Sequence, residues 1–443
     1  MNDIKLRYKE LRREAMLAVA GLWRRLMFRT TFIAITGSVG KTSCKEAIAE
    51  VLSTRYPTLR TRGGNNHFRG VFRTILRVRP WHRYCIIEIG LDRPGQMQRF
   101  ARAVRPDIAV FVSVARTHTM MFKTLENTAR EKSLLVSALR PGGVAVLNDE
   151  NPYVAAVTPP DYVKTVYFGS TARSRCKASN ISSRWPSRLS FRAEVDGEVA
   201  DVQTRFLGEH WVNSILPALA IGKLAGIPLA SAAEALSRYE PLSMRMAPVR
   251  LPNGATMIRD ERNGSVDTME AALKVFGDAT AARKLLVLTD VSDSTQKPRQ
   301  RLARMGRRAA EVADAVMFVG EHCEHGVRGA IEAGMRPDQV WSFYNMQDAA
   351  EHLRSELRED DLVLLRGRRV DHMQRLYLNL VRDVRCWRNT CSKPIHCEVC
   401  WELAHPRRPR TWQESRRARL IDKLARVAEL RYRLAPIGKG DRY

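Results

Sequence analysis

The stretch Thr36-Gly37-Ser38-Val39-Gly40-Lys41-Thr42-Ser43 constrains this chain more than any other. It follows the apolar run 32–35 and precedes a helix-like stretch at 44–52. A buried strand, a glycine turn and a helix N-terminus together point backbone N–H groups at an anion. The spacing G-x-x-G-K-T is two residues shorter than the common P-loop pattern, so the context has to support the prediction of a phosphate-binding loop. An ordinary glycine turn closing a βα unit is the alternative.

A nucleotide bound at this loop would give its side chains distinct roles. Lys41 would reach the terminal phosphates, and the Thr42 hydroxyl would ligate Mg²⁺. The neighbouring residues would surround the phosphates, and these are Gly37, Ser38, Val39, Gly40 and Ser43.

The composition favours anionic partners. The 443 residues carry a formal net charge of +27. The excess is spread over the body as well as the two ends, which suits anion-binding pockets better than a single nucleic-acid stripe, so nucleic acid is an unlikely partner. Cysteines are scattered at 44, 85, 176 and 323, as expected of reduced thiols in the cytoplasm. No run approaches the ~20 apolar residues of a membrane span.

Residues 1–30 are predicted to form a basic amphipathic helix. Leu11, Ala15, Val19, Leu22 and Leu26 share one face, surrounded by arginines. This face would either dock on the first domain or lie on an anionic membrane surface. The second alternative would place the protein peripherally at the inner face of the membrane.

Beyond the helix, the pattern predicts an α/β protein. Strand-like runs at 85–89, 108–112 and 144–147 each end in polar residues, namely Glu88, 113–118 and 148–149. Because ligands bind at the carboxyl ends of parallel strands, these residues should surround the phosphate loop. Residues 151–207 read as a small antiparallel set of strands, and 241–250 as a linker. A second alternation spans 246–380 without a G-x-G-x-x-G, so no nicotinamide cofactor is expected. The predicted units are 1–30, 31–244, 245–382 and a basic, cysteine-containing extension at 383–443.

An ordered series of motifs makes the chain resemble the Mur ligases over about residues 32–380. After the loop these motifs are Gly64-Asn65-Asn66, Ile87-Glu88-Ile89-Gly90, Val114-Ala115-Arg116-Thr117-His118, Ala129-Arg130-Glu131-Lys132, Val146-Leu147-Asn148-Asp149-Glu150 and Gly208-Glu209-His210-Trp211-Val212-Asn213. Within the family they look most like the branch that adds D-alanyl-D-alanine to the muramoyl tripeptide. The resemblance implies a P-loop ATPase-like central domain with a mostly parallel sheet, followed by a Rossmann-like C-terminal domain.

The implied activity is ATP-dependent ligation of a carboxylate to an amine through an acyl phosphate. The implied catalytic residues are Lys41, Lys132 and His118, with Lys132 carried as a carbamate. Thr42 and Glu88 would hold Mg²⁺, and His118 a second metal. An ordinary surface lysine and a carboxylate paired with an arginine remain the alternatives for Lys132 and Glu88.

The same resemblance assigns residues to the rest of ATP. Asn213 would bind the adenine edge beside His210, Arg245 would meet the phosphates on domain closure, and Asp260 would contact the ribose. A helix-capping or core role for the first two residues, and an ordinary surface arginine for Arg245, are the alternatives.

The resemblance also has gaps. The phosphate loop begins by residue 36, which leaves no room before it for the uridine-binding domain of these ligases. We therefore expect a carboxylate substrate that is not held through UDP, on a cell-wall-like or amino-acid or peptide scaffold. Arginines replace the usual residues in 259–266 and 365–369, which would suit an amine substrate that also carries a carboxylate or phosphate.

Two other functions stay open: a membrane-associated amidating subunit that needs a glutaminase partner, and a non-catalytic nucleotide-binding scaffold that binds polyanions. The extension adds Cys386, Cys391, Cys397 and Cys400, with His396 and His405 nearby. Their spacing predicts either a Zn²⁺ site or free thiols. A basic helix at 415–434 would follow, with Leu420, Leu424 and Val427 on one side. The sequence does not indicate an oligomeric state.

Overall fold

The computed structural model describes residues 2–116, 119–262, 264–291, 296–388, 391 and 396–404. The strands are β1 Thr31–Thr36, β2 Thr58–Arg60, β3 Tyr84–Glu88, β4 Ile108–Phe111, β5 Val144–Asn148, β6 Lys164–Gly169, β7 Cys176–Ser182, β8 Ser190–Val195, β9 Glu198–Gln203, β10 Ala247–Arg250, β11 Thr256–Asp260, β12 Arg283–Leu288, β13 Ala315–Val319, β14 Val340–Phe343 and β15 Asp361–Arg366. The α-helices are α1 Asn2–Leu26, α2 Lys41–Ser53, α3 Phe68–Arg77, α4 Gln96–Val104, α5 Thr119–Phe122, α6 Leu125–Ser137, α7 Pro152–Ala155, α8 Val212–Leu224, α9 Leu229–Arg238, α10 Val266–Gly277, α11 Pro298–Ala310, α12 Glu324–Glu332, α13 Met346–Glu356 and α14 Gln374–Val381.

The first sheet has nine strands in the order β2-β3-β1-β4-β5-β6-β7-β8-β9. Pairing is parallel from β2 to β7 and antiparallel between β7, β8 and β9. The antiparallel strands predicted for 151–207 are therefore present, and they extend the central sheet rather than forming a separate one. The predicted α/β class with a mostly parallel sheet is confirmed.

A parallel sheet has to be covered on both faces, and the residues of β1 show how this is done. Ile33 and Ile35 belong to an apolar cluster with α2, α8 and α9. Phe32 and Ala34 point to the opposite face, where they join residues of α1, α3, α4 and α6. This alternation follows from the two-residue period of a strand.

The second sheet has six strands in the order β10-β11-β15-β12-β13-β14, and only the β10–β11 pair is antiparallel. Its strands β11 and β15 end side by side at Asp260 and Arg366. An apolar cluster continues from the first sheet into this one, and it includes both Phe206 and Phe276. The two sheets thus share packed contacts next to the cleft that the candidate site occupies.

Helix α1 docks on the first sheet, but not through the face that its leucines suggested. Its inward side consists of Leu17, Ala20, Arg24 and Met27, all buried. Arg24 donates to Asp107 at 2.8 Å and to the Val104 carbonyl at 3.0 Å. The apolar face predicted from the sequence lies on the outside, with Leu11, Val19, Leu22 and Leu26 each more than half exposed.

None of the described helices is long and apolar enough to cross a bilayer. The predicted helix at 415–434 and His405 lie outside the described residues.

Candidate active site

The phosphate loop lies between the end of β1 and the first turn of α2, and two of its glycines are required by the backbone. Gly40 caps α2 with φ 83°, and a Cβ there would lie 2.7 Å from Ser214 Oγ. Gly37 has φ 153°, and its Cβ would lie 3.1 Å from the backbone nitrogen of Ser113. A side chain at either position would strain the backbone and displace a neighbouring element.

The loop is fixed in place by the residue that follows β4. Ser38 N donates to the Ser113 carbonyl at 2.8 Å, and Val39 N donates to Ser113 Oγ at 3.1 Å. Sequence analysis placed Ser113 at the crevice without assigning it a role. Its backbone and side chain together fix the conformation of the loop.

Lys41 folds back over the loop that it follows. Its Nζ donates to the Gly37 carbonyl at 2.8 Å and to the Ser38 carbonyl at 2.9 Å. Burial and the nearby Arg245 lower the pKa of Lys41, although Glu88 opposes the shift. The amine therefore lies where bound phosphates would be neutralised.

Glu88, at the end of β3, is the buried anion of the site. Its Oε1 accepts from Thr42 Oγ1 at 3.0 Å and from Asn66 Nδ2 at 2.7 Å. Its Oε2 has no hydrogen-bond partner, although Lys45 Nζ lies 3.5 Å away. Burial raises the pKa of Glu88, but Lys45, Lys41 and Arg245 outweigh burial and lower it overall. Glu88 is therefore ionised at neutral pH.

Sequence analysis missed Lys45. Its side chain is fully buried, pairs with Glu46 at 2.9 Å and also donates to the Gly63 carbonyl. The only sequence signal was its position one helical turn after Lys41, on the same face of α2. Lys45 compensates the Glu88 charge and connects α2 to the loop that carries Asn66.

Thr42 and Glu88 fit a magnesium ion. Mg²⁺ prefers oxygen ligands in an octahedron at about 2.1 Å, which places adjacent ligands about 3 Å apart. The Thr42 hydroxyl and Glu88 Oε1 are 3.0 Å apart, and Glu88 keeps one buried oxygen without a hydrogen bond. This donor set suits a hard divalent cation.

Lys132 in α6 reaches the same loop from the other side. It is only 5% exposed, and its Nζ donates to the Gly37 carbonyl at 3.0 Å, the acceptor that Lys41 also uses. Burial and the Lys41 charge hold the pKa of Lys132 well below its usual value. It is thus a buried, weakly basic amine, not the solvated surface lysine of the alternative interpretation.

Arg245 brings the linker between the two sheets to the phosphate loop. Its Nη2 donates to Thr42 Oγ1 at 3.1 Å, while its buried Nε has no hydrogen-bond partner. Met244 and Met246 on either side are buried with φ of 61° and 52°. A left-handed backbone is unfavourable for such residues, so the surrounding structure must hold this linker in place.

The second sheet faces the cleft with Asp260 and Arg262. Asp260 pairs with the buried Arg366 and accepts from Met246 N at 3.2 Å; burial raises its pKa to about 6. Arg262 extends to the opposite wall, where its Nη2 lies 3.1 Å from the position of a Cβ on Gly64. Burial and the charges of Arg245 and Arg369 lower the pKa of Arg262 to about 10.

The start of α8 forms a further wall. Ser214 contacts Gly40 of the phosphate loop, which places the adjacent Asn213 at the edge of the site. Asn213 Oδ1 is buried and has no hydrogen-bond partner. His210 is exposed and packs its ring on Trp211 at 4.9 Å between centroids.

The structure thus brings Lys41, Thr42, Glu88, Lys132 and Arg245 to one cleft and places Asp260 and Asn213 on its walls. His118 lies outside the described residues, so its predicted roles as metal ligand and catalytic residue stay predictions. Arg116, just before it, bridges the two sheets by donating its backbone N–H to Asp267 Oδ2 at 2.6 Å.

Comparison with known families agrees with this geometry. Residues 35–222 match the Mur ligase middle domain, and residues 244–369 match the Mur ligase glutamate ligase domain. The chain belongs to the Mur ligase family. It is an ATP-dependent peptide ligase of that family, and the resemblance predicted from the sequence is confirmed.

Relatives in this family include enzymes named UDP-N-acetylmuramoyl-tripeptide–D-alanyl-D-alanine ligase. The one from Escherichia coli K12 is 28% identical over 315 residues, which cover 70% of this chain and 69% of that enzyme. The one from Mycobacterium leprae is 27% identical over 365 residues, covering 76% of this chain and 71% of that enzyme.

Solved structures of Mur ligases share the fold. MurF from Acinetobacter baumannii superposes with a TM-score of 0.76 at 24% identity, covering 84% of this chain and 81% of that one. MurF from Thermotoga maritima, solved in complex with ADP, gives 0.72 at 18% identity and covers 83% of each chain.

Proposed function

We propose that the protein joins a carboxylate to an amine on a cell-wall-like, amino-acid or peptide substrate, with an acyl phosphate as intermediate. The observation that carries this proposal is the convergence of Lys41, Lys132 and Arg245 on a phosphate loop that also holds the Thr42–Glu88 oxygen pair. Transfer of the γ-phosphoryl group to a carboxylate depends on alignment and on neutralised charge. These side chains supply both.

Each residue would have a distinct task. Lys41 and Arg245 would neutralise the phosphates, and Thr42 with Glu88 would hold Mg²⁺, which would help to balance the phosphate charge. Asn213 would accept from the adenine, since its buried oxygen has no hydrogen-bond partner. Asp260 already accepts from Arg366 and from Met246 N. Its contact with the ribose would therefore use a remaining lone pair of the same carboxylate.

We also propose that Lys132 is carbamylated. Carbamate formation requires a neutral amine, and burial together with the Lys41 charge favours that form by lowering the pKa of Lys132. The resulting anion would lie beside Lys41 and would compensate its charge, since both side chains reach the Gly37 carbonyl. Peptide mass spectrometry at neutral pH should find the mass of one added CO₂ on Lys132 and lose it on acidification.

Oxygen transfer tests the acyl phosphate directly. The protein is incubated with MgATP and with a pooled set of substrates. The pool contains unlabelled amines and carboxylates whose oxygens are labelled with ¹⁸O. Ligation through an acyl phosphate moves one labelled oxygen from the carboxylate into the released phosphate. Lys41→Ala should abolish this transfer. Product formation without label in the phosphate, or ligation that survives in Lys41→Ala, would refute the mechanism.

The contents of the pool distinguish the rival functions. UDP-linked and UDP-free muramoyl peptides test whether uridine is needed, and D-alanyl-D-alanine tests the amine named for the relatives. Preference for ammonia over every amino acid would favour an amidating subunit with a glutaminase partner. ATP binding with no product from any combination would favour a non-catalytic scaffold.

We propose that the amine substrate carries an anionic group. Arg262 reaches across the cleft to Gly64, and burial, together with the neighbouring charges of Arg245 and Arg369, lowers its pKa. Guanidinium groups bind carboxylates and phosphates with two parallel hydrogen bonds. Arg262→Gln should therefore raise KM for the amine and leave KM for ATP nearly unchanged, whereas the exposed Arg238→Gln should change neither.

We further propose that α1 contacts an anionic membrane surface. Its outward apolar face includes Leu11, Leu22 and Leu26, and Phe28 follows with 79% exposure. Arg12, Arg25 and Arg29 border this face and are also exposed. An apolar stripe bordered by arginines is typical of a helix that lies in the interface of an anionic bilayer.

Point substitutions are a better test of this contact than deletion of the helix, because the inward face of α1 is part of the core. Leu22→Glu should abolish co-sedimentation with phosphatidylglycerol vesicles, and Glu14→Gln should retain it. Unchanged binding of Leu22→Glu, or equal binding to neutral vesicles, would contradict the proposal.

A further inference from the structure

The cysteine-containing segment after α14 folds back onto the second sheet and encloses a small pocket. The pocket has a volume of about 20 Å³ and is lined by His372, Arg375, Cys386, Cys391, Cys397 and Cys400, which we call the cysteine pocket. A space of this size holds one water molecule or one ion. All four cysteines predicted as a zinc site thus line one pocket, although Cys386 and Cys397 are eleven positions apart in the sequence.

The backbone of the segment has the turns of a metal knuckle. Cys397 opens a 3₁₀ turn, Cys397–Val399, and Cys400 N donates to the Cys397 carbonyl at 3.1 Å. Cys386 N donates to the Leu403 carbonyl at 3.0 Å, so the first and last parts of the segment are joined. A C-x-x-C turn of this kind directs two sulfurs to the same side.

His372 is oriented as a ligand. Its Nε2 lies 3.2 Å from the Cys391 carbonyl, and a carbonyl can only accept, so Nε2 carries the proton. The other nitrogen, Nδ1, then carries a lone pair, which accepts a hydrogen bond from the Cys397 thiol at 3.4 Å and would be available to a metal once that thiol is deprotonated. Histidines that bind metals commonly donate their second N–H to a carbonyl in this way.

A buried cation lines the cysteine pocket. Arg375 lines the pocket, is 2% exposed and donates to the carbonyls of Cys386 and Arg388. Zinc bound by three or four thiolates carries a net charge of −1 or −2. A fixed guanidinium beside it offsets that charge.

We propose that the cysteine pocket binds one Zn²⁺ through at least three of its cysteine thiolates, completed by the fourth or by His372, and that this ion holds the segment against the active-site cleft. The residues on either side of Cys397 support the proposed link between this segment and the active-site cleft. His396 contacts Arg262 at 2.8 Å, and Glu398 pairs with the buried Arg259. The ion would therefore position the arginines that flank Asp260.

The sulfurs have to move inward to bind the ion. Among the described residues, His322, Glu324 and His325 are the one group of three such side chains whose ligand atoms all lie within 4.8 Å of one another. No three ligand atoms of the described residues that line the cysteine pocket lie that close to one another. His322 and Glu324 are exposed, whereas the cysteine pocket is enclosed. If the ion binds in the cysteine pocket, a cysteine variant should lose it; if it binds at His322, the His322 variant should lose it.

Zinc content of the purified full chain is the first test. We expect one Zn²⁺ per chain by elemental analysis, released when an organomercurial blocks the thiols and detected with a chromogenic chelator. X-ray absorption should show three or four sulfur ligands. Absence of zinc, disulfides among the four cysteines, or a shell of nitrogen and oxygen alone would overturn the proposal. These measurements use the unmodified protein, so they do not depend on a variant that folds.

Variants then locate the ion. Cys400→Ser should lower zinc content roughly tenfold or more, whereas Cys176→Ser, which removes a buried thiol of the first sheet, and His322→Ala should keep it. Zinc retained in Cys400→Ser and lost in His322→Ala would refute the site. Limited proteolysis should cut Cys400→Ser within 383–404 while the rest of the chain stays intact; unchanged resistance would refute the proposed anchoring.

Discussion

Glu88→Gln separates the structural role of the buried carboxylate from its proposed role as a metal ligand. The amide keeps an oxygen that accepts from Thr42 and Asn66 and loses the charge that faces Lys45. Removing one partner of a buried ion pair costs about 3–5 kcal/mol. Because Lys45 retains Glu46 at 2.9 Å, we expect a smaller loss of about 2–3 kcal/mol in the free energy of unfolding.

Glu46→Gln is the matched control. Glu46 is also buried in α2 and also pairs with Lys45, but it bonds Arg60 instead of Thr42. Its loss should destabilise the protein by a similar amount. If Glu88 holds Mg²⁺ as proposed, only Glu88→Gln removes an anionic ligand, and we expect a loss of about 3–4 kcal/mol, or roughly 10² to 10³ in the affinity for the Mg²⁺-bound nucleotide.

Calorimetric titration with a non-hydrolysable ATP analogue, with and without Mg²⁺, measures this difference. Wild type and Glu46→Gln should bind more tightly with Mg²⁺, and Glu88→Gln should lose that gain. If both variants lose it equally, or if neither does, Glu88 is not the ligand and acts only as a partner for Lys45.

Three further predictions concern the same loop. Gly40→Ala should lower ATP affinity and reduce the free energy of unfolding by about 1–2 kcal/mol, because residue 40 has a left-handed backbone. Adding Ser214→Ala should remove only the steric clash and so restore only part of the lost stability and affinity. Thermal unfolding and nucleotide titration measure both quantities, and full recovery in the double variant would show that the backbone is not strained. In buffer free of CO₂, the free energy of unfolding should rise as pH increases towards 10.5, the ordinary pKa of lysine, because the lowered pKa of folded Lys132 leaves the unfolded state with more bound protons, and Lys132→Met should flatten this slope. In the same buffer, nucleotide binding should be accompanied by proton uptake, because phosphates would raise the lowered pKa values of Lys41 and Lys132; binding heats that do not depend on the ionisation enthalpy of the buffer would argue against it.

The strands were predictable because buried parallel strands are continuous apolar runs. Residues 85–89, 108–112 and 144–147 needed only that pattern, and the polar residues at their ends fell at one edge of the sheet as expected. The domain boundary at 244 and 245 stays a prediction. The ligand roles of individual residues also stay predictions, because each role depends on neighbours that are close in space and distant in sequence.

Three features depended on tertiary contacts that no local pattern records. Lys45 looks like any helical lysine until β3 places Glu88 beside it. The leucine face of α1 is the more apolar one, yet α1 docks through the face that contains Arg24, because Asp107 and two carbonyls satisfy that guanidinium. His372 is 14 residues from Cys386 in sequence and meets Cys397 only after the segment folds back.

Part of the strong positive charge of the chain is concentrated in the cleft. Lys41 and Lys132 donate to one carbonyl, and Arg245 and Arg262 approach from the second sheet, while Glu88 supplies the buried anion. Such a group of cations is costly without a ligand, as the lowered pKa values of both lysines show. A bound polyphosphate relieves that cost, so nucleotide should stabilise the closed arrangement of the two sheets. Arg245 reaches Thr42 from a linker in which Met244 and Met246 have left-handed backbone, so nucleotide bound at the loop should also stabilise this linker.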